Sequence, residues 1–208
     1  FCLTLKPEHE KMIKDLSYIP VGLGNKKFSK DCFSDKRGTN IANKNLFYGE
    51  YTFHYWLWKN YLENIETEWI GFCQYRKFFV KDFIEVNDMN FENLKNQIIN
   101  KIEDKNKNLE SILGSKFSVQ NYKLSKIFKH HLFYFLKNPS LFFNKNFRTL
   151  KVHFDLFHGN EYLESAINLL DEENKEDFRY FMNNSVSFNP HNMFICKTKL
   201  LQKYYKTV

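Results

Sequence analysis

Several features that would assign this chain quickly to a class of protein are missing from its sequence. The four cysteines lie far apart, without CxxC or CxH spacing, so we expect no zinc site and no redox pair. Reduced thiols in a cytoplasmic protein fit a chain of 208 residues better than a disulfide framework does. No run of about 18 uncharged apolar residues occurs, so we expect no membrane-spanning segment. The chain begins at Phe1 rather than at Met, so truncated termini stay open and the missing signal peptide excludes little.

The familiar phosphate-binding and hydrolytic motifs are also missing. Without GxxxxGK[ST] or a GxGxxG after a strand, neither a P-loop enzyme nor a common dinucleotide dehydrogenase is expected. GxSxG and HExxH are missing as well. There is no DxD, the acidic pair with which many sugar transferases hold a divalent metal on the donor pyrophosphate. A divalent metal, Mn²⁺ or Mg²⁺, therefore stays open as a cofactor but has no motif of its own.

Acidic residues are missing from one long stretch. Residues 111–154 contain no Asp or Glu but eight basic residues, a charge of +8 against +7 for the whole chain. The eight are Lys116, Lys123, Lys126, Lys129, Lys137, Lys145, Arg148 and Lys151. Such asymmetry favours an anionic partner at one place. Because Phe, Tyr and Leu are interleaved with these lysines, three interpretations stay open: an anionic membrane or lipid-linked acceptor, a nucleic acid, or a helical hairpin with solvated lysines.

Apolar segments alternate along the chain between strand-like and helix-like patterns. Strands are predicted at residues 1–5, 18–22, 69–73 and 193–196, with Pro20 favouring an irregular or edge strand. Helices are predicted at residues 8–16, 46–62, 88–110 and 162–170 and after residue 196, with 171–180 as a solvated charged surface. This alternation predicts an α/β fold with a mostly parallel or mixed sheet flanked by helices. We expect one domain over residues 1–208, with a basic aromatic helical insertion at 122–154.

Polar residues follow the predicted central strand abruptly, at Gln74, Tyr75 and Arg76. Ligands of open α/β sheets bind at the carboxyl ends of the strands, where these side chains project. The planar fork of an arginine suits a phosphate there, although an arginine after a strand is more often part of a surface ion pair. The long polar segment 23–45 also calls for a functional hypothesis, because unstructured loops of this length are usually functional or disordered.

The segment 38–79 resembles the family of bacterial capsular polysaccharide transferases long catalogued as a domain of unknown function. Members of that family have a Gly-Asp-Asn-Ile-Ser loop, a Lys-Asn pair, a helix with Tyr-Trp-x-Trp-Lys-Asn and a strand that ends in His-Tyr-Arg-Arg. The matching residues here are Gly38, Asn40, Ile41, Lys44, Asn45, Glu50, Thr52, Tyr55, Trp56, Trp58, Lys59, Asn60, Gly71, Tyr75 and Arg76. Shorter matches are Thr4 with Lys6-Pro7, His158 with Glu161, and Asn192-Met193-Phe194.

Four positions depart from the family pattern. Thr39 replaces the second loop Asp, Ala42 replaces Ser, Gln74 replaces His and Lys77 replaces the second Arg. Any contact that the missing Asp or His makes to donor or metal in relatives is therefore altered here. For this reason an inactive transferase homologue stays open beside an active enzyme.

The resemblance implies a GT-A-like fold that places a nucleotide sugar against an acceptor hydroxyl. It implies that donor-binding residues come from the matching segments: Thr4, Lys6, Asn40, Lys44, Asn45, Glu50, Gln74, Tyr75 and Arg76. Among these, Lys6, Lys44 and Arg76 would neutralise the leaving diphosphate, and Asn40, Asn45 and Glu50 would hold base and ribose. His158 and Glu161 are the candidates for the general base, with Asp155 behind them. His191 and Asn192 are the candidates for acceptor binding.

The resemblance also implies the reaction and its surroundings. A hexose or galactofuranose on UDP is the first expectation for the donor, and a growing capsular or lipopolysaccharide saccharide is the expected acceptor. Such an enzyme is expected in the cytoplasm, with peripheral contact to an anionic membrane at its inner face. A nucleic-acid-binding module is the rival class, but we see no aromatic-glycine RNA motif, helix-turn-helix signal or zinc spacing.

Overall fold

The computed structural model describes residues 1–82, 85, 90–121, 132–134 and 136–207. These residues form two compact units. The first, which we call the sheet unit, comprises Phe1–Gly114 and His191–Lys206, and the second, the helical unit, consists mainly of Ser115–Pro190. The prediction that residues 1–208 act as one glycosyltransferase domain stays a prediction. In the described part of the chain, no helix combines the length and apolar character needed to cross a membrane.

A mixed sheet of six strands forms the centre of the sheet unit. Its strands are β1 (Cys2–Thr4), β2 (Pro20–Gly22), β3 (Phe33–Ser34), β4 (Trp69–Gln74), β5 (Ser111–Leu113) and β8 (Phe194–Lys197). Their order is β3-β2-β1-β4-β8-β5. The first four are parallel to one another, while β8 is antiparallel to both β4 and β5. The predicted α/β class and mixed sheet are confirmed.

Burial explains which apolar segments became central strands. Every residue of β1 and β2 is buried, as expected for parallel strands covered on both faces. The prediction of an edge or irregular position for the Pro20 strand is wrong, because β2 pairs with β1 on one side and β3 on the other. Pro20 is tolerated because it is the first residue of the strand.

The helices of the sheet unit are shorter than the apolar periodicity suggests. They are α1 (Glu10–Asp15), α2 (Asn45–Tyr48), α3 (Tyr51–Asn60), α4 (Phe91–Gln97) and α9 (Leu201–Thr207). The single helix predicted over 46–62 is divided at Gly49, which has a φ of +53°. The helix predicted over 88–110 ends at Gln97, because Ile98 turns extended, is buried and forms a bridge with Val80.

Helix α3 contributes buried residues to the apolar cluster that includes strands of the sheet. Its buried residues include Phe53, Trp56 and Leu57, which pack with Phe72 of β4 in the same cluster. The segment 46–48 that precedes it faces outward instead, and Phe47 is 84% exposed. The face of α3 that is buried in the core is therefore the one that carries Phe53 and Trp56.

The helical unit contains a two-stranded antiparallel ribbon and four helices that the structure bounds in full. The ribbon pairs β6 (Phe117–Ser118) with β7 (Ser187–Phe188). The helices are α5 (Ser140–Phe143), α6 (Leu150–His158), α7 (Tyr162–Ile167) and α8 (Glu172–Asn184). The helix predicted at 162–170 is confirmed over its first part. The charged segment 171–180 is exposed or half-buried throughout, as predicted for a solvated surface, and residues 172–180 lie in α8. Residues 122–131 of the predicted insertion, which include Lys123, Lys126 and Lys129, lie outside the described residues.

Candidate functional site

Polar residues at the ends of β1 and β4 and before β8 meet at one edge of the sheet, which we call the carboxyl edge. The parallel strands β1, β2 and β4 end there, and antiparallel β8 begins there. The predicted donor residues Thr4 and Gln74 therefore share this edge with the predicted acceptor residues His191 and Asn192. This placement is the one that open α/β sheets use for ligands.

Thr4 and Arg76 are linked through two stacked rings. The Thr4 hydroxyl is nearly buried, accepts from the Lys6 backbone N–H at 3.1 Å and lies 2.9 Å from His9 Nδ1. The His9 ring stacks on Tyr75 with centroids 4.1 Å apart, and the Arg76 guanidinium lies 5.2 Å from the Tyr75 centroid. Tyr75 therefore supports Arg76, a cation–π arrangement that leaves the guanidinium fork exposed to a ligand.

Arg76 has no carboxylate partner among the residues that the structure describes. Lys6 and Lys44 are likewise exposed and unpaired with acid within those residues. The carboxyl edge therefore carries positive charge that no described side chain neutralises, although the contact of each residue with a donor stays a prediction.

Glu50 and Gln74 form a second pair at this edge. Gln74 Nε2 donates to Glu50 Oε1, joining the end of β4 to the residue that precedes α3. Burial raises the pKa of the Glu50 carboxyl, while the Gln74 bond and Lys77 oppose that rise. A raised pKa makes a carboxylate a stronger base, which suits a role in proton transfer.

His191 and Asn192 precede β8 and face the residues that follow β4. His191 has a φ of +76°, a left-handed conformation that is rare for a residue with a Cβ. Lys77 Nζ lies 3.3 Å from His191 Nδ1 and also contacts Nε2. Burial, then the Lys77 charge, lowers the pKa of His191. Asn192 Oδ1 accepts from the Tyr51 hydroxyl at 3.0 Å, which ties this segment to the start of α3.

The loop before α2 is held to α3 by amide side chains. Asn60 accepts from Thr39 N at 3.0 Å and donates to Thr39 O at 2.8 Å. Asn40 uses its whole amide inside the loop: Nδ2 donates to Lys36 O and Gly38 O, and Oδ1 accepts from Ala42 N. The structure thus gives Asn40 a role in loop shape, and its predicted donor contact stays untested.

Asn45, Thr52 and Asp35 form a hydrogen-bonded chain behind the same loop. Asn45 Nδ2 donates to Thr52 Oγ1 at 3.0 Å, and Thr52 Oγ1 donates to Asp35 Oδ2 at 2.5 Å. Asp35 is completely buried, and burial raises the pKa of its carboxyl. Nothing in the sequence marks Asp35 as a site residue, and only the motif match of Thr52 points towards this chain of bonds.

A cavity of about 300 Å³ opens at the carboxyl ends of β1 and β2. Leu5, Leu23 and Leu46 provide apolar walls, and Lys26 and Asn45 provide polar groups. Its volume lies at the lower end of the range of about 300–1,000 Å³ for small-molecule sites.

A larger cavity, of about 650 Å³, lies at the opposite edge of the sheet, the amino edge. Residues that precede β1, β2 and β4 line it, among them Phe1, Ile19 and Glu68, together with the apolar Trp69 and Ile99. None of the predicted site residues lines it.

The predicted general-base residues all belong to the helical unit. His158 is the exposed last residue of α6, with its ring 4.7 Å from that of Phe154. Glu161 is exposed and precedes α7. Asp155 is buried and accepts from Lys151 Nζ at 2.6 Å, one turn away on the same helix. Asp155 is thus engaged by Lys151, and the catalytic assignment of these three residues stays a prediction.

Two of the eight basic residues in the acid-free stretch are not free surface charges. Arg148 is 3% exposed and donates to Leu141 O and Gln120 O at 2.9 Å. Lys151 is paired with Asp155. Lys123, Lys126 and Lys129 lie outside the described residues. In the described part of the stretch, Phe133 and Phe143 are exposed, so aromatic side chains do reach the surface there.

The described residues do not provide an evident site for a divalent metal. No group of three or more His, Cys, Asp or Glu side chains converges in the described part of the chain. Mn²⁺ and Mg²⁺ need several oxygen ligands, and Asp35, the buried carboxylate at the carboxyl edge, is already bonded to Thr52. We therefore derive no step through a metal.

Residues 3–208 match the family described as Domain of unknown function (DUF4422). No curated protein matches the chain. Among solved structures, the chain is similar to that of a WbbM bifunctional glycosyltransferase in its apo form, with a TM-score of 0.47 and 18% identity. The similarity covers 91% of this chain and 32% of that chain, so this chain spans about a third of that protein's length. A similarity at this level carries no argument about activity.

Proposed function

The chain belongs to the family described as Domain of unknown function (DUF4422), and we propose that it is a glycosyltransferase that uses a nucleotide-activated sugar. The family description names no activity, so support comes from the site and from the motif resemblance. The observation that carries the proposal is the exposed Arg76 guanidinium at the carboxyl edge, which is held on Tyr75 and connected to Thr4 through the His9 ring. A nucleoside diphosphate binds here, with UDP as the favoured nucleotide.

The chemistry of transfer matches the charges at this edge. The acceptor hydroxyl oxygen attacks the anomeric carbon, the bond to the diphosphate oxygen breaks, and the hydroxyl proton passes to a base. The leaving diphosphate gains negative charge, which Arg76, with Lys6 and Lys44 as further cations, stabilises by charge-assisted hydrogen bonds. The acceptor lies towards His191 and Asn192, on the β8 side of the same edge.

Two candidates for the general base follow from different observations. His158, with Glu161, occupies the family's motif position. Glu50 is at the carboxyl edge itself, and its raised pKa suits a base. Glu50→Gln and His158→Ala distinguish the two candidates. Substitution of the residue that acts as the base should lower kcat at least 100-fold while UDP affinity is retained. The other variant keeps its turnover within a few-fold.

The acceptor is proposed to be a growing capsular or lipopolysaccharide saccharide, carried on a lipid at the cytoplasmic face of an anionic membrane. Lys123, Lys126 and Lys129, with exposed aromatic residues such as Phe133 and Phe143, make the contact. Co-sedimentation with anionic liposomes should fall as salt rises, and replacing the three lysines by Glu should abolish it without affecting nucleotide binding. Binding to neutral liposomes alone, or to none, would contradict membrane contact.

Thermal unfolding with a panel of nucleotide sugars tests the core of the proposal. A nucleotide sugar at 100 times its Kd stabilises the folded protein by about 2.7 kcal/mol and so raises its Tm. We expect UDP-sugars, including UDP-galactofuranose and UDP-hexoses, to give the largest shift. No shift with any UDP-, GDP-, CMP- or dTDP-sugar at millimolar concentration would refute donor binding.

A further inference from the structure

The side-chain amide of Asn45 is held in one orientation at the wall of the 300 Å³ cavity. Its Nδ2 donates to Gly49 O at 2.8 Å and to Thr52 Oγ1 at 3.0 Å. A backbone carbonyl can only accept, so the atom that faces Gly49 O must be the NH₂ group. Both amide hydrogens are therefore used inside the protein.

Thr52 reinforces this orientation. Its hydroxyl is buried and carries a single hydrogen, for which Asp35 Oδ2 at 2.5 Å and Gly49 O at 3.0 Å are the acceptors. The oxygen of Thr52 is then left to accept from Asn45. Asp35 and Thr52 are both completely buried, so neither side chain can turn away to bond water.

The amide oxygen of Asn45 is consequently the group left for a ligand. None of the described residues donates to Oδ1, which lies 3.6 Å from the position that a Cβ on Gly24 would occupy. Gly24 itself lines the cavity, as does Lys26, whose ammonium can only donate. Among the polar side chains that line the cavity, which include Asn25 and Asn43, Asn45 thus offers a fixed acceptor and Lys26 a donor, between the exposed apolar side chains of Leu5 and Leu46.

We propose that this cavity binds the pyrimidine base of the donor nucleotide and that Asn45 selects a base with an imide N–H. This inference rests on the proposed function. The N3–H of uracil or thymine donates to Asn45 Oδ1, its flanking carbonyl oxygens accept from donors such as Lys26, and the leucines cover the ring faces. Cytosine has a lone pair at N3, so two acceptors would face each other and the contact would be lost.

Asn40 provides a matched control for Asn45. Asn40 lies in the loop before α2 and Asn45 is the first residue of that helix, but both polar atoms of the Asn40 side chain are bonded to the loop backbone. Asn40→Ala, at a residue predicted to contact the donor, should change UDP and CDP affinity to the same extent and so leave the base preference unchanged. Asn45→Ala should remove the preference itself.

Calorimetric titration with UDP, dTDP and CDP tests the inference. The parent protein should bind UDP and dTDP at least tenfold more tightly than CDP, since a site built around a hydrogen bond strongly rejects a mismatched partner. In Asn45→Ala the ratio of the CDP and UDP dissociation constants should fall below about three, and in Asn40→Ala it should stay above ten.

Substitutions at Thr52 keep the test decisive if Asn45→Ala folds poorly. Thr52→Val frees one hydrogen of the Asn45 amide, so the base preference should weaken several-fold, whereas Thr52→Ser retains the hydroxyl and should preserve it. If UDP binds but CDP binds equally well, or Asn45→Ala keeps the full ratio, the base-selecting role is wrong while the proposed function stands. If none of the three nucleotides binds, both fail.

Discussion

The two edges of the sheet differ in size and in chemistry. The amino edge has the larger cavity, about 650 Å³ against about 300 Å³, and its lining includes apolar residues such as Trp69 and Ile99. The carboxyl edge has the smaller cavity, but Thr4, Arg76 and Asn45 present polar groups held by specific contacts. Size alone favours the amino edge as a ligand site, whereas fixed polar groups favour the carboxyl edge. Recognition of a ligand depends on oriented donors and acceptors more than on cavity volume.

At the amino edge, we expect a substitution to lower the stability of the protein strongly without changing its affinity for UDP. Trp69→Ala removes a large ring from the start of β4 and should lower the free energy of unfolding by about 3 kcal/mol. UDP affinity should stay within twofold, because the substituted side chain lies at the amino edge. Urea denaturation and calorimetry measure the two quantities. A tenfold loss of UDP affinity would show that the amino edge contributes to nucleotide binding.

The core between the two edges should respond to acid. Burial lowers the pKa of His54 to about 4, and its ring lies among aromatic residues including Phe72 and Tyr205. Because this folded-state pKa is below the unfolded value of about 6.5, the stability it contributes is present above pH 6.5 and is lost as pH falls towards 4. The loss should reach about 3 kcal/mol.

The matched variant for this prediction is His54→Phe, which keeps an aromatic ring but cannot titrate. Its free energy of unfolding should depend less on pH between 6.5 and 4 than that of the parent protein. Urea denaturation at several pH values measures this dependence. If the free energy of unfolding falls equally in both proteins between pH 6.5 and 4, His54 does not cause the acid response.

At the carboxyl edge, the charge of Arg76 should dominate nucleotide affinity. Arg76→Ala should weaken UDP binding by roughly 1.5–3 kcal/mol, as expected for a charge-assisted hydrogen bond. Arg76→Lys should recover only part of this, because the planar fork is lost. Both variants should unfold like the parent protein, since Arg76 is exposed. If both bind UDP as well as the parent, Arg76 is only a surface residue.

The smallest expected effect concerns the loop that leads into the carboxyl edge. Gly38 has a φ of +62°, and a Cβ there would lie 2.2 Å from Asn60 Oδ1. Gly49 has a φ of +53° with nothing within 4 Å of such a Cβ. Gly49→Ala should therefore cost about 1 kcal/mol of conformational strain, and Gly38→Ala about 1 kcal/mol more, in thermal unfolding. Equal costs would mean that Asn60 moves aside freely.

Much of the sheet unit followed from the sequence. The buried strand at residues 69–73 and the polar residues after it were predictable, because a continuous apolar run ending abruptly in charge marks a central parallel strand. The break at Gly49 and the end of α4 at Gln97 were not. Both depend on tertiary context, a left-handed glycine in one case and the bridge between Val80 and Ile98 in the other.

The candidate site was predictable in its motif residues but not in their roles. Thr4, Gln74 and Asn192 do share one edge, yet Asn40 and Asn45 look alike in sequence and use their amides differently. Asp35 had no visible signal, since a polar loop gives no reason to expect a completely buried carboxyl. Such roles depend on which hydrogen-bonding groups are paired within the folded protein and which remain available to a ligand.

Hydrogen–deuterium exchange with and without UDP tests whether the nucleotide binds at the carboxyl edge, because it reports on both edges in one experiment. UDP should slow exchange at residues 4–6, 23–26, 42–46 and 74–77, which belong to the carboxyl edge and its loop. Residues 66–70 and 99–102, around the amino-edge cavity, should exchange as in the free protein. Protection confined to 66–70 and 99–102, or no protection anywhere at saturating UDP, would contradict a nucleotide site at the carboxyl edge.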